Sequence, residues 1–580
     1  MAKRTAADQF VEILLAAGVR RMYGVVGDSL NPVVDAIRRH DDIDWIHVRH
    51  EEAGAFAAGA EAQLTGRLVA CAGSCGPGNL HLINGLYDAH RSMAPVLALA
   101  AQIPSTEIGT GYFQETHPTL SFQECSHYCE LVTQPEQLPR VTQIAVQQAI
   151  GRGGVGVVAL PGDVADDEAS DAQLEHTYRL DQRPTARPSD AVLDELVGLV
   201  DGARRVTLFC GRGAAGAHDE VLALAERLKA PVGHALRGKE WIQYDNPYDV
   251  GMSGLLGYGA CYEAMHECDL LILLGTDFPY VQFMPTKPKI VQVDLRRERL
   301  GSRSRLDLGV WGDVKETLRA LLPRVAEKPD RAFLDQMLRR HGELLARMRA
   351  YADEVRGHRP IHPEHVAATL DELAADDAIF TVDTGMCTVW AARFINATAR
   401  RRILGSFVHG SMANALPQAI GAQLPDRGRQ VIAMCGDGGF AMLMGDFLTL
   451  LQYDLPVKVI IFDNGSLGMV ALEMLVAGYP PSQTDLKNPD FAAMARAAGV
   501  TGIRIEDPGD VRDGLREALA ADGPVLVDVL TDPNALSMPP KITGGQVKGF
   551  ALAMTRLVLS GDADEVVNMA RSNLRNLPRP

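Results

Sequence analysis

The chain has 580 residues, 47% of them hydrophobic, and a formal net charge of -16. That length exceeds what one core supports, so about three or four domains are expected, and the composition suits a globular α/β protein rather than a fibrous or disordered one. The acidic balance opposes nonspecific binding to nucleic acid and leaves contact with an anionic membrane to a local basic patch; no apolar run reaches bilayer-spanning length.

In chain order, "RRMYGVVGD", "RLVACAGS", "APVLALAAQ" and "GVVALPGDV" read as strands that end in turns, with a helix over residues 51 to 64 between the first two. A polar passage near residues 166 to 190 reads as a linker. A second block, about 190 to 340, repeats the alternation with "RRVTLFCGRG", "APVGHAL", "DLLILLGTDF" and "KIVQVDL". A third follows the charged helical stretch 331 to 356 and carries "AIFTVDTG", "QVIAMCGDGG", "VKVIIFDN" and "GPVLVDVL"; it looks like the same kind of unit as the first. Residues 531 to 580 contain no strand pattern and are expected to stand apart as a tail. The expected fold is therefore α/β, with three parallel-sheet domains (1–180, 185–340, 350–530) and a helical tail (531–580). Nine cysteines, several in strand-like runs, and the absence of a signal-peptide pattern point to a cytosolic chain with reduced thiols. The pairs Cys71/Cys75 and Cys125/Cys129 lack the tight spacing of a zinc knuckle.

The chemistry concentrates in "CGDGGFAMLMGDF". A strand that breaks into Gly436, Asp437, Gly438 and Gly439 leaves one carboxylate in a sharp bend, and the spacing predicts a helix after Gly439. A second strand ends at Asp463 and Asn464, followed by Gly465 and Ser466. Asp437, the Asn464 side-chain oxygen and a backbone carbonyl near Ser466 would give a hard divalent cation three oxygen ligands, with phosphate oxygens and water completing the shell. The glycines let a diphosphate approach the backbone at the carboxyl end of a parallel sheet. In the second block, "CGRGAAGA" fits a dinucleotide fingerprint through Gly211, Gly213 and Gly216, but no acidic residue at the end of a clear second strand supports it.

A Gly-Asp-Gly followed after some 25 residues by an Asn resembles the thiamine-diphosphate-binding motif. The whole chain is similar to the thiamine-diphosphate- and FAD-dependent pyruvate oxidase family, most closely to its quinone-reducing branch, through "RHEEAGAFAAGAEAQLTG", "CAGSCGPGNLHLINGLYD", "GYFQETHP", "HALRGKE" and "MCGDGGFAMLMGDF". The resemblance implies thiamine diphosphate, Mg2+ and FAD as cofactors. It makes Glu51 the carboxylate that engages the aminopyrimidine ring, and Phe113, Gln114 and Glu473 pocket residues. It places His409, Gly410, Ser411, Met412, Gly438, Gly439, Gly465, Leu467, Gly468 and Met469 around the cofactor, with Met412 as the wedge that bends it. By the same resemblance FAD is lined by Met252, Ser253, Gly254 and Leu255; by Gly275, Thr276, Asp277, Phe278 and Pro279; and by Val293, Asp294, Leu295, Arg296, Arg297 and Glu298, with Arg237 at its diphosphate. Asp463 stands where the family usually carries a first Asn, Met469 replaces an expected aromatic, and Met386 and Cys387 differ from the expected loop. "LGMV" matches acetolactate synthases, yet Glu473 stands in place of their later Trp, which favours oxidation.

The implied reaction is oxidative decarboxylation of pyruvate to acetate and CO2 with electrons passing through FAD to a membrane quinone; phosphate-dependent acetyl phosphate formation and acetolactate synthesis are the alternatives. Family architecture implies a homo-oligomer, a tetramer in preference to a dimer, with Glu51 and Asp437 meeting across subunits. From Asp562, Asp564 and Glu565, the tail sequence "DADEVVNMARSNLRNL" sets Val566, Ala570, Leu574 and Leu577 on one helical stripe beside Arg571, Arg575 and Arg579. Such a helix can pack on protein or lie on anionic lipid. The resemblance favours lipid, so a cytoplasmic protein peripheral on the inner face of the cell membrane is expected.

Overall fold

In the computed structural model, residues 4–170, 185–535, 544–560, 567, 569 and 572 are described. Three parallel-dominated sheets organise the chain. The first comprises β1 (Arg21–Gly24), β2 (Asp44–His47), β3 (Val69–Gly73), β4 (Val96–Gln102), β5 (Tyr128–Leu131) and β6 (Val155–Pro161), in the order β2-β1-β3-β4-β6-β5. The second comprises β7 (Val206–Cys210), β8 (Val232–His234), β9 (Asp249–Met252), β10 (Tyr258–Gly259), β11 (Leu270–Leu274), β12 (Lys289–Asp294) and β13 (Leu308–Trp311), in the order β10-β9-β8-β7-β11-β12-β13. The third comprises β14 (Ile379–Val382), β15 (Arg402–Gly405), β16 (Val431–Gly436), β17 (Lys458–Asp463), β18 (Thr501–Ile505) and β19 (Val525–Leu530), in the order β15-β14-β16-β17-β19-β18. First and third sheets thus share one topology, as their sequence patterns suggest. Among the strand pairs of the described residues, only β9–β10 is antiparallel.

Central strands such as β3, β4, β7 and β11 are buried throughout and read as unbroken apolar runs, because helices cover both faces of a parallel sheet. The helix Glu51–Thr65 is almost wholly Ala and Gly over its central turns, and small side chains let its neighbours approach closely. It lies between the helices Pro77–Arg91 and Ala415–Gln423: a Cβ on Gly85 would sit 2.6 Å from Ala55 Cβ, and one on Gly421 would collide with the Ala57 carbonyl. One apolar core therefore runs from the first sheet into the third, joining Tyr23, Ala57, Leu86, Ala419, Ile420 and Val459. At this seam Asp88 is 1% exposed, accepts from Ser406 Oγ (2.8 Å) and Gln418 Nε2 (3.1 Å), and is pushed up to about 6 by burial.

The second sheet is joined to the third by buried cations. Lys239 Nζ donates to the Ala392 carbonyl at 2.6 Å, and Arg393 donates back to the Gly257 carbonyl at 3.4 Å. Burial lowers the Lys239 ammonium to about 8.

The tail does not stand apart where it is described. The helix Gly544–Ser560 seats Ala553 and Leu557 against Leu472 and Leu475, with Met569 in the same cluster, and Arg556 donates to the Gly478 carbonyl at 2.7 Å. Ser572 Oγ donates to Asp532 Oδ2 at 2.6 Å. The apolar tail face finds protein because the helix Gly468–Ala477 offers a matching one. The stripe and arginine row expected from Asp562 to Arg579 lie outside the described residues.

Candidate functional site

In the third sheet, β14 leads leftward to β15 and rightward to β16, so the chain reverses direction between β14 and β16. Such a switch point opens a crevice at the carboxyl ends of the strands. Asp437 stands there. Its helix, Asp437–Met442, begins at the aspartate itself, three residues earlier than the glycine pattern predicts, with Gly436 as N-cap. Asp437 is 3% exposed; Oδ1 accepts the Gly438 N–H at 2.9 Å and Oδ2 accepts the Asn488 amide at 2.7 Å. The same amide nitrogen donates to Asp463 Oδ1 at 2.7 Å. Burial, with Asp463 adding repulsion, pushes the Asp437 carboxyl up to about 6 against the hydrogen bonds that hold it down. Beyond β17, Asn464 Oδ1 accepts the Ser466 N–H at 3.0 Å in a turn that needs the left-handed backbone of Gly465.

Asp437, Gly438, Gly439, Asn464 and Ser466 line an open cleft together with Thr384, Gly385, Met386, Cys387, Met412, Leu467, Gly468 and Met469. The missing side chains are required: a Cβ on Gly438 would lie 2.9 Å from Leu467 Cδ2, and one on Gly468 2.9 Å from Asn464 Nδ2. Gly439 leaves room for Asp383, whose buried Oδ2 has no partner and whose carboxyl burial raises to about 7. Buried acids with oxygen neighbours and no facing cation form a donor set that suits a hard divalent ion.

Glu51 opens its helix, with His50 as N-cap accepting the Glu52 N–H. It is 7% exposed; Oε2 meets His81 Nδ1 at 2.9 Å, and only a glycine at 78 leaves room beside Oε1. Glu51 does not line the cleft around Asp437 in its own chain. Gln114, in the left-handed region, accepts from the Cys75 thiol at 3.3 Å, while Phe113 is 77% exposed beside it. His409 Nε2 meets Asn84 Oδ1 at 2.8 Å and stacks on Tyr87; Gly410 turns left-handed and Ser411 accepts from Asn84 at 2.9 Å. These three residues therefore face the first unit, whereas Met412 enters the cleft. Glu473 is exposed on the helix Gly468–Ala477, beyond the lining.

The second sheet has its own switch point, between β7 and β11. Gly211 and Gly213 meet Gly275 there: Cβ atoms on them would sit 2.6 Å from the Gly275 carbonyl oxygen and Cα, respectively, so this Gly-x-Gly serves loop packing. The ends of β9, β11 and β12 bring the three predicted flavin segments to one edge. Met252 and Ser253 are buried, the latter with an unpartnered Oγ; Gly254 has φ +112° and Leu255 is exposed. After Gly275, Thr276 is buried, Asp277 pairs with Arg299 and Arg303, and Phe278 packs edge-on to Phe209 ahead of Pro279. After buried Val293, Asp294 accepts the Arg296 N–H at 2.8 Å; Leu295, Arg297 and Glu298 follow toward solvent. Arg237, lowered to about 10 by burial, donates to the Ser92 carbonyl and shares a cavity of about 300 Å³ with Arg212, Arg402 and Glu240.

The residues sequence reasoning missed are Asn488, Asp383 and His81. Asp383 closes the quoted strand segment "AIFTVDTG", but a single acid after a strand carries no ligand spacing; His81 and Asn488 lie on no strand-end motif, and Asn488 is 51 residues from its partner Asp437. The cysteines form no metal-ligating group among the described residues, and burial pushes the Cys125 and Cys129 thiols up to about 12. No described helix is long and apolar enough to cross a membrane.

Three family models match the chain: thiamine pyrophosphate enzyme, N-terminal TPP binding domain, over residues 4–122; the central domain over 193–321; and the C-terminal TPP binding domain over 383–529. A putative thiamine pyrophosphate-containing protein of Bacillus subtilis is 35% identical over 99% of both chains. Pyruvate oxidase of Lactiplantibacillus plantarum is 30% identical over 90% of this chain and 87% of its own. A probable acetolactate synthase large subunit of Methanocaldococcus jannaschii is 31% identical over 92% of this chain and 93% of its own. Each of the three sheets is thus claimed by a different part of one enzyme architecture, and the chain belongs to the thiamine pyrophosphate-dependent enzyme family.

Proposed function

We propose that the chain is a pyruvate dehydrogenase (quinone), a pyruvate:ubiquinone oxidoreductase that decarboxylates pyruvate to acetate and CO2 and passes the electrons through FAD to a membrane quinone. The observation that carries the reading is the cleft at the β14/β16 switch point, where Asp437, Asn464 and Ser466 gather oxygen donors beside glycines that leave space for a diphosphate. Asp437, the Asn464 amide oxygen and the Ser466 carbonyl would hold Mg2+; Gly438, Gly439, Gly465, Leu467, Gly468 and Met469 would cradle the diphosphate, and Met412 would pack against the cofactor. When bound, thiamine diphosphate supplies the electron sink for decarboxylation and FAD accepts two electrons. Glu51, held by His81, keeps a proton at the aminopyrimidine ring, and its low exposure excludes water from that exchange. His409, Gly410 and Ser411 tie the cofactor loop to the neighbouring unit. Phe113, Gln114 and Glu473 complete the substrate pocket from a second protomer or after closure. The unpartnered Ser253 hydroxyl and the cationic surroundings of Arg237 support a flavin along the edge formed by residues 252 to 255, 275 to 279 and 293 to 298.

A homo-oligomer of at least two chains, a tetramer in preference to a dimer, is part of this reading; the absence of Glu51 from the Asp437 cleft in one chain supports a second protomer. The tail is proposed to leave its seat and lie on lipid in the reduced enzyme, bringing a cytoplasmic protein to the quinone at the inner face of the cell membrane. A second reading, acetolactate synthesis, is favoured by Met469, which lines the cleft where an aromatic is expected.

Purified protein should be yellow, pyruvate should bleach it anaerobically, and a quinone analogue should restore the colour with acetate as product, phosphate or not. Acetyl phosphate formation that requires phosphate would move the chain to the oxidase branch. Acetolactate without flavin bleaching would establish the second reading instead.

A further inference from the structure

The segment between the helices Gly468–Ala477 and Phe491–Ala497 carries a device the family motif does not contain. Asn488 gives one side-chain nitrogen to two carboxylates at once, Asp437 Oδ2 and Asp463 Oδ1, each at 2.7 Å. With an acceptor on each amide hydrogen, the amide cannot turn over without losing both bonds. Its backbone is pinned on both sides. Leu486 donates its N–H to the Gly465 carbonyl at 2.7 Å, so the strand-end loop and this segment are stitched together. Pro489 restricts Asn488 to extended backbone, and Asp490 then caps the next helix by accepting the Ala493 N–H at 2.7 Å.

The charges explain why such a tie is needed. Asp437 and Asp463 stand at the carboxyl ends of the adjacent strands β16 and β17, and Asp528 lies within the next strand, β19. Arg504 answers Asp528 at 2.8 Å. Asp437 and Asp463 share the neutral Asn488 amide. Left alone, two like charges at this range separate by turning their side chains away. The shared amide instead holds both facing one spot.

We infer that Asn488 is a positioning residue of the metal centre, which keeps Asp437 aimed as a ligand and presents the Asp463 charge beside the cation as an outer-shell anion. This rests on the proposed cation site at Asp437. Outer-shell partners of metal ligands change affinity by about 10- to 100-fold when removed. The extra carboxylate has opposite effects on the two ligands of the cleft: it attracts the cation and repels the diphosphate.

The test uses the full-length apo chain, with free Mn2+ counted by electron paramagnetic resonance and thiamine diphosphate binding followed by calorimetry at saturating Mn2+. Asn488→Ala should raise the Mn2+ Kd by about 10- to 100-fold. Asp463→Asn, which keeps an acceptor for the amide but removes the charge, should weaken Mn2+ several-fold while tightening thiamine diphosphate several-fold. A merely structural role would move both ligands in the same direction. Wild-type Mn2+ binding by Asn488→Ala overturns the inference while leaving the cation site intact. Should that variant not fold, parallel losses of both ligands in Asp463→Asn overturn it equally. Wild-type Mn2+ binding by Asp437→Ala would overturn the cation site and this inference together.

Discussion

The first and third sheets have the same strand order and opposite chemistry. Each reverses direction beside its first strand, and each opens a crevice at the carboxyl end of its third strand. In the first unit that loop runs Ser74, Cys75, Gly76, Pro77 and carries no charge; the unit's one buried acid at this end, Glu51, comes from the turn after edge strand β2 and is held by a histidine. In the third unit the equivalent loop carries Asp437, and two further acids, Asp383 and Asp528, are pushed upward by burial near it. Topology decides where a ligand can sit, and the loop residues decide what it is. Under the proposed function, one unit would exchange a proton and the other would hold a cation and an anion together.

The strongest way to break this division of labour is to disable each half separately. Glu51→Gln should lower pyruvate turnover by about 10²- to 10⁴-fold with flavin and cation still bound. Asp437→Ala should lower it comparably and release the cation and thiamine diphosphate. Mixing the two inactive proteins, with subunits allowed to exchange, should recover part of the activity if the halves meet across protomers. Cofactor loss in Glu51→Gln, or no recovery on mixing, would remove the distinction drawn between the units.

A weaker perturbation tests whether the two units are one body. Gly421→Ala drives a methyl into the Ala57 carbonyl and should cost about 2 to 3 kcal/mol, read as a lower unfolding temperature with both units melting together. An unchanged midpoint, or independent melting, would mean the seam is not tight.

The smallest effect sharpens the electrostatics of the same seam. Burial lifts Asp88 from an ordinary 3.8 to about 6, so the folded state binds more protons between those values. Its contribution to stability is greatest below pH ~4 and declines as pH rises through about 6. Asp88→Asn should therefore stabilise by about 1 to 2 kcal/mol at pH 7.5 and by less at pH 4.5. A gain that grows toward acid would reverse the assignment.

How much of this could be read from sequence varies with burial. Central strands announced themselves because both faces are covered and every position is apolar. The strands β2, β5, β13 and β18, exposed or half-buried at alternate or most positions, gave no comparable run and escaped notice. The proposed cation site could be read from sequence because the two adjacent strands β16 and β17 run into Asp437 and Asn464. Asn488 was not, since it lies in an irregular connection and acts only once folding has brought that connection back over β16 and β17. The tail helix Gly544–Ser560, which meets the helix Gly468–Ala477, was not read from sequence; the apolar stripe that was read, Val566, Ala570, Leu574 and Leu577, lies outside the described residues.

The reciprocal joint between the second and third sheets bears on modularity. Lys239 and Arg393 each reach across to a carbonyl of the other unit, and each is buried where it does so. Removing either acceptor while the two units stay docked would leave a cation without its partner in a largely dry interface. A middle domain grafted from a relative would have to bring its lysine and find an arginine waiting, so chimeras should respect this pair of positions before any surface likeness.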